Sequence, residues 1–165
     1  MQDIYTQNIA KGLAGQLFGA NHEIEPMFVE SGIVNFGYGV AQGTEEQEAL
    51  LPSAGKTVDD FRGVARLATT IERLHRSEDN PTYDDETNDT MDVVRRGMIL
   101  VPATAVVARG EPVFWQIVTS GTNYAGTFRN TADAGNAIDI SSVAAWFRGN
   151  EAIGGLAVLN LRVLL

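Results

Sequence analysis

Apolar residues recur along this chain in short runs separated by glycine-bearing breaks, a pattern that predicts a sheet protein assembled from brief strands. Candidate strands lie near 5–10, 26–29, 33–41, 60–68, 91–101, 112–118, 125–129, 143–147 and 155–164. The clearest stretch runs from Asp92 to Val118. Val93, Val94, Met98, Ile99, Leu100 and Val101 form a β-rich run, and Pro102 ends it because proline cannot donate to a central ladder. Arg109-Gly110-Glu111-Pro112 has turn chemistry, after which Val113, Phe114, Trp115, Ile117 and Val118 resume a strand. The small-residue connector Ala103 to Ala108 is expected to form one helical turn.

One segment carries a different period. Val64, Leu67, Ala68, Ile71 and Leu74 recur at helical spacing, so 64–74 reads as strand or as amphipathic helix, with a strand through Ala68 and a helical insertion after it preferred. Ser77 to Thr90 has few large apolar residues and concentrated acid, the composition of a solvated loop.

Length and composition narrow the class. A chain of 165 residues matches one domain, 1–165, and at that size roughly 70% of the unfolded surface can be buried. The absence of cysteine removes disulfides and thiolate metal sites. The apolar runs are too short to span a bilayer, and no export signal is recognisable, so no membrane partner is expected. Net charge is −9 and uneven: residues 1–92 carry 6 basic and 17 acidic groups, residues 93–165 carry 6 and 4. That balance repels phosphates and argues against nucleic acid as a partner.

Searches for reactive chemistry end in bland readings. Asp79, Asp84, Asp85, Glu86, Asn88 and Asp89 offer hard oxygen ligands, but no turn glycine or spaced bidentate glutamate completes a calcium loop, so no metal is assigned. Gly55-Lys56-Thr57 lacks the earlier glycine of a phosphate loop, where Leu50 stands. Gly37-Tyr38-Gly39 with Gly43 misses the dinucleotide spacing by one residue, and no cofactor is expected. His22 and His75 sit in no triad or HExxH context. Carboxylate pairs such as Glu45 with Glu48, or Asp59 with Asp60, are the sole basis for a small hydrolase. Aromatic pairs carry more: in extended chain Phe114-Trp115 and Trp146-Phe147 each send one ring to either face, so an outward tryptophan is a candidate interface anchor, the alternative being that both strands are central and both faces buried.

Matches spread over most of the length resemble the structural cement protein family of tailed-phage heads. Ile9 to Gln16 is similar to that family's "AxGxAG" segment, Phe36 to Gly43 to its "FGxxVxxG" strand and turn, and Phe61 to Ala65 to its "FxGVA" strand. Val94 to Gly97 with Arg109 to Phe114 resembles its "RxG…GDxVY" core, and Gly155 to Leu161 its closing strand. Pro112 departs from the pattern, and Ile71 to Thr90 reads as an insertion. The resemblance implies an all-β domain, a β-sandwich or jelly roll with short helical insertions. It implies no enzyme, but a protein made in the host bacterial cytoplasm that binds the outer surface of the mature capsid. Its partners on this reading are the phage major capsid protein and itself, as a homodimer or alternatively a homotrimer. The rival readings are a virion adhesion or fibre domain that binds host glycans, and the carboxylate-dependent hydrolase.

Overall fold

The computed structural model describes residues 12–67, 82–84 and 90–163. Their regular structure is nearly all strand, as expected. The exception is a 3₁₀ turn at Val58–Asp60, closed by a capping box in which Thr57 and Asp60 satisfy each other's backbone N–H groups.

The organising element is β7 (Thr90–Pro102), a 13-residue strand. One of its edges pairs antiparallel with β1 (Leu17–Val29). Its other edge is shared, by β5 (Phe61–Ala65) over the first half and by β12 (Leu156–Arg162) over the second. Beyond β5 come β3 (Gly39–Gln42) and β4 (Glu48–Leu50), and β4 returns to pair parallel with β1. The strands β1, β4, β3, β5 and β7 therefore form a closed ring, which leaves none of them as an open sheet edge along the paired segments. Every ring strand contributes to one apolar cluster: Met27 and Val29, Ala49, Val40, Ala65, and Met91 with Val93. A ribbon of β2 (Ile33–Asn35) and β6 (Thr82–Asp84) adds Val34 and Tyr83, with Tyr83 edge-on to Phe36.

The second half of β7 carries the sheet outward through β12 to β11 (Ala144–Arg148). Against its inner face packs a three-stranded sheet of β10 (Ala137–Asp139), β8 (Phe114–Gln116) and β9 (Phe128–Arg129). This is the sandwich part of the fold. Its core joins Ile99, Val101, Leu159, Leu161 and Trp146 to Trp115 and Phe128, with Phe61 edge-on to the Trp115 ring at 4.9 Å.

Several local expectations need correction. The strand over 91–101 exists as β7, whereas the one expected over 112–118 shortens to Phe114–Gln116, as β8 of a different sheet. Ala103 to Ala108 forms no helical turn: Ala103 bridges to Phe128, and the segment instead carries the chain between sheets. The 33–41 strand is two strands, because Gly37 takes φ +79° between them. The strand near 5–10, the helical part of 64–74 and most of the acidic loop lie outside the described residues.

The inter-sheet connection is pinned by Asn150, a buried side chain. Its Oδ1 accepts from the Val107 N–H at 2.7 Å, while Nδ2 donates to the carbonyls of Ala105 at 3.0 Å and Ala152 at 2.8 Å. Truncation to alanine orphans a buried N–H and two carbonyls, so Asn150→Ala is expected to cost about 3 kcal/mol. Denaturant titration reads this directly, and a loss below about 1 kcal/mol would show that the connector relaxes around the gap.

Candidate interaction surface

The four aromatic positions separate by strand alternation, but not as the interface reading requires. Trp115 is 0% exposed and Trp146 is 2% exposed, so neither tryptophan faces outward. Both belong to the sandwich core, and the Trp146 Nε1–H donates to the Pro112 carbonyl at 3.0 Å. The outward members are the phenylalanines: Phe147 is 42% exposed, and Phe114 is half-buried. They sit on different sheets, so the four residues do not form one patch.

Phe147 has other company. The register skips it between Trp146 and Arg148, making it a bulge on β11, the last strand of its sheet. Its ring meets that of Phe18, at the start of β1, with centroids 6.1 Å apart. Phe18, Met98, Asn160 and Ala145 are successive register partners across β1, β7, β12 and β11, so they share the sheet face opposite the sandwich core. Two residues along lies the directly opposed pair Arg96 and Arg162. Two residues the other way, Leu100 and Val158 are opposed, with Arg148 beside Val158. Leu100 is already covered: a Cβ at Gly12 would fall 2.6 Å from its Cδ1. The face is thus an apolar stripe through Phe18, Met98 and Phe147 between arginines.

Arg96, Arg148 and Arg162 make no side-chain hydrogen bond or ion pair among the described residues. Glu23 neighbours Arg96 in the β1 ladder, but register shifts flank it on both sides and no bridge forms. Of the other described arginines, Arg95 meets Glu25 at 2.7 Å, Arg66 meets Asp92 at 3.1 Å and Arg129 meets Asp133 at 3.3 Å, while Arg109, in the turn before Pro112, likewise has no bridge among the described residues. Sequence reasoning missed this face. Its signal was available only in part, as alternate residues of the 91–101 and 155–164 strands, and nothing local placed Phe18 or Phe147 beside them.

The groups considered for catalysis or metal binding have local uses. His22 Nε2 lies 3.0 Å from the Met98 carbonyl and 3.3 Å from that of Phe18, a packing role. Glu48 accepts from the Glu45 N–H at 3.1 Å, and Asp60 caps the 3₁₀ turn. Among the described residues no group of three or more metal-ligating side chains occurs; His75, Asp79, Asp85, Glu86, Asn88 and Asp89 lie outside them.

Three described carboxyls are held below their usual range: Glu111, chiefly by the Asn130 side chain, and the two aspartates Asp60 and Asp139. The Thr57 backbone N–H is the main cause at Asp60, and the Ser141 hydroxyl followed by its N–H at Asp139. Because the folded pKa is depressed, the stabilisation is complete above the unfolded aspartate value and is lost as pH falls through the folded one. Denaturant midpoints are therefore expected to drop on acidification below about pH 4, and less steeply in an Asp60→Asn, Asp139→Asn double variant. A double variant with an unchanged acid slope would refute the assignment.

A family profile described as Structural cement protein (E217 gp24/Pam3 gp6) matches residues 1–162. No curated protein matches. A solved structure, "The capsid of Myoviridae Phage XM1", contains a similar chain with TM-score 0.74 at 15% identity, covering 100% of this chain and 99% of that one. At that identity the likeness shows the fold alone.

Proposed function

The chain belongs to the phage structural cement protein family, and from that premise we propose that it binds the outer surface of the mature head and braces major capsid subunits without catalysing a reaction. Membership makes it a structural protein of the virion that associates with the capsid. The observation that carries the reading is the profile match across 1–162, which also supports one cement domain over 1–165. The local capping roles of Glu48 and Asp60 agree with a structural rather than catalytic use of the acids. Synthesis in the host bacterial cytoplasm and self-association, as a homodimer or alternatively a homotrimer, complete the proposal. Phe114 and Phe147 replace the tryptophans as its aromatic contacts.

The mechanism is linkage. A protein that binds only the assembled shell stabilises it by an amount set by concentration over Kd, about 2.7 kcal/mol per site at a hundredfold excess, and many sites act on one shell. An oligomer touching several subunits adds multivalency, so modest single contacts combine. Heads stripped of the protein are expected to release DNA at lower temperature, and re-addition is expected to restore the parent value. Equal release temperatures with occupancy confirmed by imaging would sink the reading. Light scattering tests self-association separately: a monomer at high micromolar concentration would restrict oligomer formation to the capsid.

A further inference from the structure

We propose that the outward face of β1, β7, β12 and β11, with Phe18, Met98 and Phe147 framed by Arg96, Arg148 and Arg162, docks on a carboxylate-rich surface of the capsid protein. This rests on the capsid-binding reading and names the surface and the chemistry that would carry it.

The reason begins with Arg96 and Arg162. They are directly opposed across the β7–β12 ladder, both exposed, and like charges so placed destabilise a sheet. The chain has 21 acidic residues, yet none bridges these arginines or Arg148 among the described residues. Uncompensated positive charge on a chain of net charge −9 gains most from carboxylates brought by a partner. The apolar stripe lies within the same frame, matching the arrangement in which aromatic and methionine side chains form the centre of an interface and charged groups its rim. Edge pairing by β11 is a weaker alternative, because the bulge at Phe147 breaks the ladder a new strand would need. The carboxylates could also come from a second copy, through exposed acids such as Glu45 and Glu46. The capsid is preferred because association with it is what the family is defined by.

Arg162→Glu separates binding from stability. It replaces a like-charge pair by an opposite-charge pair with Arg96, so the free protein is expected to melt at the parent temperature or slightly above. Binding to stripped heads, measured by sedimentation with cryo-imaging of occupancy, is expected to weaken at least about tenfold. Parent binding is expected to fall steeply with added salt, and Phe18→Ala to weaken it with the oligomeric mass unchanged. Folded Arg162→Glu protein that binds heads like the parent, or parent binding indifferent to salt, overturns the proposal. So does a variant that loses its oligomeric mass, since the face would then serve a second copy. Should Arg162→Glu fail to fold, Arg162→Gln and the parent salt series decide alone. Failure of the parent itself to bind heads would be the distinct failure of the cement reading.

Discussion

Replacing Gly63 with alanine is expected to remove about 4 kcal/mol of stability and lower the melting temperature by roughly 8–16 °C. Gly63 sits within β5 at φ +140°, a backbone conformation open to glycine and costly for any L side chain. An added Cβ would run into the Val94 backbone carbonyl oxygen and lie 2.9 Å from Val93 Cγ1. Neither obstacle is the free end of a flexible chain, so relief requires β5 to move away from β7. That movement opens the ring at the β5–β7 seam and leaves β3 and β4 joined to β7 only through β4 and β1. Gly55→Ala is the control: φ there is +89°, but nothing lies within 4 Å of the added atom, so only backbone strain of about 1 kcal/mol is expected. Thermal unfolding of the two variants side by side makes the comparison, and equal losses would show that strain alone, not ring closure, sets the cost.

Trp115→Ala is expected to cost about 4 kcal/mol, the range for emptying a large aromatic from a close-packed core. The ring is fully buried between the two sheets, edge-on to Phe61, and Phe61 is in turn edge-on to Phe128 at 6.3 Å. The two tryptophans should respond differently to phenylalanine. Trp115 Nε1 is buried with no hydrogen-bond partner, so Trp115→Phe discards an unsatisfied donor and offsets part of the cavity it leaves. Trp146→Phe loses the bond to the Pro112 carbonyl, adding about 1 kcal/mol to its cavity. Guanidinium unfolding is expected to rank Trp115→Ala as most damaging, then Trp146→Phe, then Trp115→Phe. Reversal of the last two would mean that the Trp115 indole is satisfied in solution.

What was legible in the sequence was local. The β-rich apolar runs over 91–101 and 155–164 produced β7 and β12 at nearly the expected limits, because these strands are buried on both faces over part of their length and so read as continuous apolar stretches. Strand alternation split Phe114 from Trp115 and Trp146 from Phe147, one ring to each face. Which ring went inward depended on the opposite layer: Trp115 on the three-stranded sheet and Trp146 on the larger one both lie on the faces the two sheets turn toward each other, and no residue near either one specifies that pairing of sheets. The first half of β1 was illegible for a related reason. Gly19, Asn21 and Glu23 have no strand character, Asn21 takes φ +65°, and the segment is strand because β7 provides the ladder. The arginine-framed face lies furthest from sequence reasoning. Phe18, Arg96, Phe147 and Arg162 share a surface only after four strands have paired in register, and pairing between distant segments is decided by burial and ladder hydrogen bonds that no window along the chain contains.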